Sequence, residues 1–300
     1  MKKRYIILGS VLLLIALFVL GLGIYFYPDI KCAETLGKNM DFTHFSYDMT
    51  VSLDLEELKE EQRQLLDKLD MLIGSKTSEA PAFRITGEVS GEIVHAVIYL
   101  SGTPEPVTEV YFSDTTDVIN GAVFYDAVRK NIIKKNSLLA YVMPEWEEHA
   151  YVTFEQMEQM FGIDLEAMKG FSLSVPAYRP GLVESWKMLT DMERIKGEDG
   201  SIAYLLEQDG LSVNIGFQDA SLAEPVIECR IQESAQLSEE EKDILSGLGI
   251  DMEQTILQAV EEVTVRMIPG DVGEIQIPDD YVSPDIVESI AKIRSLLLSR

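Results

Sequence analysis

The sequence predicts an α+β protein: an N-terminal transmembrane helix, then a curved, half-barrel-like antiparallel sheet with covering helices. Three observations carry this. An uncharged run rich in Leu, Ile and Val extends from Tyr5 to Tyr27. Several later segments alternate apolar and polar residues with a period of two, as half-buried strands do. Between them lie amphipathic stretches bounded by capping residues, as helices are.

The apolar run spans 23 residues and follows Lys2, Lys3 and Arg4. As a helix it would rise about 35 Å, enough for a hydrocarbon core of about 30 Å. The three positive charges before it place the N-terminus in the cytoplasm and the rest of the chain outside. A cleaved signal peptide is the competing reading, but its apolar core is usually only about 7–15 residues long. No small-x-small site follows the run; Gly21-Leu22-Gly23 lies inside it. Lipidation at Cys32 is a third reading, against which Asp29-Ile30-Lys31 lacks the small and apolar residues required. Residues 1–28 are thus read as cytoplasmic tip and anchor, and 29–41 as a juxtamembrane stalk. The domain would be 42–300, with two related halves near 42–180 and 181–300 as a further reading.

Thr43 to Leu53 alternates, with Phe45, Tyr47, Met49, Val51 and Leu53 on one side. Asp54 and Glu57 form a capping-box arrangement for a helix with Leu55, Leu58, Leu65, Leu69 and Leu72 as its stripe, stopped by Gly74. Phe83 to Val89, Glu92 to Leu100, Val107 to Ser113 and Val118 to Asp126 read as a meander of four strands. Thr153 with Gln156 caps a helix through Phe161, and Trp186 to Ile195 reads as another. Ser201–Gln208 and Leu211–Phe217 flank Asp209-Gly210, a strong hairpin signal. Strands follow at 226–231, 260–268 and 274–277, with a capped helix at 238–247 between the first two. Ser283-Pro284, an N-cap with Pro at the first helical position, opens a terminal helix reaching Ser299. Gly162-Ile163-Asp164-Leu165-Glu166 echoes Gly249-Ile250-Asp251-Met252-Glu253, either as a trace of duplication or as shared turn chemistry.

The net charge is −26. Removing the three basic residues of the tip leaves 22 basic against 51 acidic residues, or −29. Such a surface excludes nucleic acid as a partner and repels anionic headgroups. Two cysteines are too few for a disulfide scaffold. Cys32 and Cys229 are a candidate disulfide pair, although Ile227, Cys229 and Ile231 share one strand face, which reads Cys229 as a small buried hydrophobe.

Chemistry-bearing motifs are sparse. The chain has three histidines, His44, His95 and His149. No Gly-x-Ser-x-Gly, His-Glu-x-x-His, phosphate-cradling Gly loop or paired-Cys metal spacing occurs, so no catalytic residue, metal ligand or cofactor is expected. Asp114 with Asp117, Glu198 with Asp199, and Asp279 with Asp280 lack calcium-loop spacing and read as turn residues. The rings on expected strands are the candidates for lining an apolar cavity: Tyr99, Tyr111, Phe112, Phe124, Tyr204 and Phe217, with Tyr125 beside them. Rings in strands also fill cores, and both readings stand.

The order of strand, long amphipathic helix (54–73), meander and late strand leading to Ile277-Pro278-Asp279-Asp280 resembles the lipoprotein-carrier superfamily, including its mycobacterial glycolipid-binding members. The resemblance spans roughly 43–130 and 200–280 and implies a half-barrel whose helices cover a hydrophobic cavity. The anchor and an insert near 145–195 depart from that pattern. No residue transfers as functional. The expectation is a membrane-anchored, extracytoplasmic, non-enzymatic module, contacting the bilayer through residues 5–27 and holding a lipid or other apolar envelope ligand. The alternative is a structural or protein-interaction component with a filled core and an envelope protein as partner.

Overall fold

The computed structural model describes residues 26–38, 44–58, 60–79, 82–113, 116–141, 143, 145–146, 150–162, 181–208, 210–217, 222, 224–232, 260–270 and 272–298. Helix α1 covers 26–38. It is followed by β1 (His44–Leu53), α2 (Glu60–Ile73), β2 (Ala82–Ser90), β3 (Ile93–Leu100), β4 (Thr108–Phe112), β5 (Val118–Asn120) and α3 (Gly121–Lys135). A 3-10 turn (Ser137–Tyr141), β6 (Tyr151–Thr153), α4 (Phe154–Phe161), α5 (Leu182–Thr190), β7 (Glu193–Lys196) and β8 (Ile202–Gln208) come next. The chain ends with β9 (Leu211–Phe217), β10 (Pro225–Gln232), β11 (Val260–Pro269) and α6 (Pro284–Leu298).

Among the described residues the strands form one open antiparallel sheet of 11, in the order β6-β5-β4-β3-β2-β1-β11-β10-β9-β8-β7. β1 is therefore central, pairing with β2 on one side and β11 on the other. That pairing carries the sheet without interruption across the division expected near residue 180. In an antiparallel pair, opposed residues share a face. The row Gly87–Tyr47–Met267–Ile227–Ile215–Tyr204 thus lies on one face across six strands.

Helices cover that inner face in two lobes. Phe45, Val89, Val94, Val110, Phe112 and Val152 from the sheet meet Phe124, Val128, Met157, Met160 and Val287 from α3, α4 and α6. Across the sheet, Cys32, Ala33 and Leu36 of α1 and Leu189 of α5 meet Ile202, Tyr204, Ile215, Phe217 and Ile227. A small third cluster, Leu53, Leu58 and Leu66, seats the start of α2.

Local signals match several elements. Thr153 accepts from the Gln156 amide at 3.3 Å and Gln156 returns a bond to the Thr153 N–H at 3.0 Å, and Gly162 at φ +67° closes α4. Gly74 at φ +80° ends α2, whose last carbonyls receive the Asn131 side chain at 2.8 and 2.9 Å. Glycine reaches that backbone region without a Cβ penalty.

Five expectations need correction. Residues 118–126 are not one strand: β5 stops at Asn120, whose side chain caps α3 by accepting from Val123 N–H at 3.1 Å. Phe124, Tyr125, Val128 and Ile132 then recur at helical spacing, so Phe124 and Tyr125 are helix residues. Residues 186–195 are α5 followed by β7 rather than one helix, because Asp191 ends it. Residues 274–277 hold no strand. The supposed stalk is helical through 38, with Cys32, Ala33 and Leu36 fully buried in the second core. The Asp54 turn accepts the Glu56 amide at 2.7 Å, but the helix starts only at Glu60. The run 5–25, the segment 238–247 and both copies of the pentapeptide echo beyond Gly162 lie outside the described residues. Among the described residues, no helix is long and apolar enough to cross a membrane.

Candidate functional site: an apolar trough between two filled lobes

Two cross-strand rows run across the inner face beside the lobes, with Val213 packed against the second lobe, Phe83 against the first lobe and the third cluster, and Val51 against the third cluster. The first is Ile85–Met49–Val265–Cys229–Val213–Leu206, running from β2 to β8. The second begins Phe83–Val51–Val263–Ile231–Leu211. Every residue of the first row is only half-buried; in the adjoining row Gly87, Tyr47 and Met267 are half-buried too, and Tyr204, Ile215 and Ile227 are buried. In the second row Ile231 is 39% exposed. Five strand spacings of about 4.8 Å make the first row about 24 Å long. Branched aliphatic side chains, one sulfur and one thiol line it, with no charged group in the row.

The six candidate rings do not converge on this trough. Phe112 and Phe124 are buried in the first lobe, where Phe112 meets Phe154 edge to face at 5.9 Å. Tyr204 and Phe217 are buried in the second, 6.3 Å apart. Tyr99 and Tyr111 stand on the opposite, outer face: Arg84 lies 5.7 Å over the Tyr99 ring, and Tyr111 stacks on His95 at 4.5 Å. Tyr125 packs against Trp146 at 5.3 Å. The trough escaped sequence reading because each strand supplies only one or two of its residues. The one signal was the apolar side of each alternation, which does not say which side chains become neighbours.

The candidate disulfide is also corrected, since both cysteines are free thiols. Cys32 points into the second lobe beside the Tyr204 hydroxyl, while Cys229 sits in the trough row between Val213 and Val265. Burial, with a smaller contribution from Asp29, pushes the Cys32 thiol up to about 11. It therefore stays protonated near neutrality and is a poor nucleophile.

Two polar networks frame the sheet. In the second lobe, buried Asp29 of α1 accepts the Tyr204 hydroxyl at 2.5 Å and pairs with Arg194 Nε at 2.9 Å. Burial and the bond to the Asp29 carboxylate hold the Tyr204 hydroxyl well above its ordinary range. On the outer face, Glu109 meets His95 Nε2 at 3.3 Å, accepts Asn120 Nδ2 at 2.8 Å and accepts the Tyr151 hydroxyl at 2.5 Å. The bond to His95, assisted by Tyr151 and Asn120 against the cost of burial, lowers the Glu109 carboxyl to about 2. These residues come from β3, β4, β5 and β6 at positions 95, 109, 120 and 151, so nothing local in the sequence joins them. Their hydrogen bonds satisfy one another and tie four strands together. Among the described residues, no group of three or more metal-ligating side chains gathers.

Compared with protein-family models, with curated proteins and with solved structures, the chain matches none.

Proposed function

We propose that the chain is a membrane-tethered, non-enzymatic binding module whose ligand is a lipid or similar apolar molecule, held along the trough. One observation carries the reading: a six-residue apolar row, half-buried, that runs across the inner face beside two lobes with buried cores. Burying apolar surface is worth about 25 cal/mol per Å², so a chain-like apolar ligand laid along the row would bind by covering it. The resemblance to lipoprotein carriers, which implies a half-barrel whose helices cover a hydrophobic cavity, supports the same reading. Native mass spectrometry of residues 26–300, prepared without detergent, tests the reading. Co-purifying lipid, displaced when Cys229→Trp fills the trough, is the expected result. A ligand-free preparation that also takes up no added fluorescent fatty acid would refute it.

A second reading rests on the outer face. There Arg84 forks onto Asp48 at 3.0 and 2.7 Å, Arg230 pairs with Glu262 at 2.8 Å, and Arg266 lies 3.6 Å from Glu228. Two open concavities of about 490 and 500 Å³ adjoin there, sharing Asp48 and Arg266 in their walls. This lattice suits a polar protein partner. Crosslinking from a photoreactive residue at position 212 would recover one, and loss of the crosslink in Arg266→Glu would assign it to this face.

A further inference from the structure

α1 and α5 meet at Phe26 and Trp186, whose rings lie edge to face at 5.9 Å. Around this contact the surface is apolar: Phe26 is 38% exposed, Tyr27 64%, Ile30 43%, Leu182 50% and Val183 79%. Helical spacing gathers them. Phe26 and Ile30 are four apart on α1, as are Leu182 and Trp186 on α5, with Val183 three residues before Trp186. Ser185 and Leu189 are buried beneath α5; Leu182, three and seven residues before them, is the exposed start of that same face, and Val183 is turned away from it. Val183 therefore cannot turn inward while Ser185 and Leu189 stay buried.

We propose that this patch seats in the interface between lipid headgroups and acyl chains, making α5 a membrane-surface element. The proposal rests on reading residues 5–27 as a bilayer span. Under that reading the span ends at Tyr27, a member of the patch, and Ile30 lies only about 5 Å further along the helix. The patch is thus delivered to the membrane surface by the chain itself. Its composition suits that depth: aromatic rings with polar edges concentrate at the interface, and aliphatic side chains reach about 5–10 Å into the boundary. The charges beside it are compatible. Glu184 turns back to accept the Gly181 amide at 2.9 Å, and Lys187 lies one turn beyond Val183, in reach of headgroup phosphate. The net −29 beyond the anchor points to zwitterionic rather than anionic lipid.

The chain has two tryptophans, so Trp146→Phe leaves Trp186 as the single reporter. The full-length variant is reconstituted in phosphatidylcholine vesicles whose acyl chains are brominated near the headgroup end, and flotation is recorded on the same samples. The expected result is flotation with strong quenching of Trp186, and loss of most of that quenching when Leu182→Asp and Val183→Asp are added, with flotation kept. Flotation without quenching overturns the docking while leaving the span intact. Quenching that survives both aspartates overturns it too, because proximity alone would then explain the signal. A chain that does not float removes the span and the docking together.

Discussion

Asp29→Ala is expected to unlatch α1 from the sheet. Asp29 holds two partners: the hydroxyl of Tyr204, which is buried, and the guanidinium of Arg194, whose side chain is 27% exposed. Alanine leaves the hydroxyl without this acceptor, at about 1–3 kcal/mol, and removes the Asp29 charge from beside the arginine. Breaking a fully buried pair costs about 3–5 kcal/mol, and the exposure of Arg194 brings this site to the lower end, about 3 kcal/mol in total. For a domain of this size that lowers Tm by roughly 6–12 °C. Tyr204→Phe removes one bond and leaves the ion pair, costing about 1 kcal/mol. Thermal unfolding of the full chain in nonionic detergent, followed by circular dichroism, gives the ranking. Cys32 supplies a local readout in a Cys229→Ser background: buried and protonated in the parent, it should become open to maleimide in Asp29→Ala. If Asp29→Ala melts no lower than Tyr204→Phe, or leaves Cys32 protected, the latch is not what seats α1.

Three further expectations follow from the geometry. In Gly87→Ala the new Cβ would collide with the His95 carbonyl and approach the Tyr47 hydroxyl to 2.8 Å, so a loss of at least about 3 kcal/mol is expected in urea unfolding, whereas Gly270→Ala, with open space around it, should stay within about 0.5 kcal/mol. Asp70 accepts bonds from Ser75, Thr77 and Ser78, and although burial opposes it, those bonds hold its carboxyl well below the ordinary range; Asp70→Asn should cost about 2–3 kcal/mol at pH 7. Because the folded form is the depressed one, that stabilisation is present above the unfolded value near 4 and fades below it, so the urea midpoints of parent and variant should converge in acid. The Glu109 carboxyl, ordinarily at 4.5 and lowered here to about 2, should make Glu109→Gln less stable by about 1–2 kcal/mol at pH 6, with the difference closing between pH 4.5 and 2.

How far the fold was legible depends on the range of the interaction behind each element. The alternation of β1, the capping box of α4 and the Ser283-Pro284 start of α6 are all local features, set within a few residues of backbone and side chain. α3 was misread because Ala122 to Tyr125 suits a strand as well as a helix by composition. The cap from Asn120 and the contact of Phe124 with Phe161, 4.9 Å apart, decided for the helix. α1 was misread because charges at Lys31, Glu34 and Lys38 suggest a solvated stalk, and only the sheet shows that Cys32, Ala33 and Leu36 face inward.

By itself the sequence determined the α+β class, most of the antiparallel strands, both ends of α4, the end of α2, the start of α6 and the acidic charge. Those depend on period and composition, which survive in any window of about ten residues. Tertiary structure alone decided the neighbours. β1 pairs with β11, more than 200 residues away, and that single registry brings Met49 beside Val265 and Cys229 into the trough. It also left the predicted rings divided between two cores and the outer face. Registry is a choice among strands that share the same alternation, so it is settled by what each face can bury, and a local pattern does not contain that information.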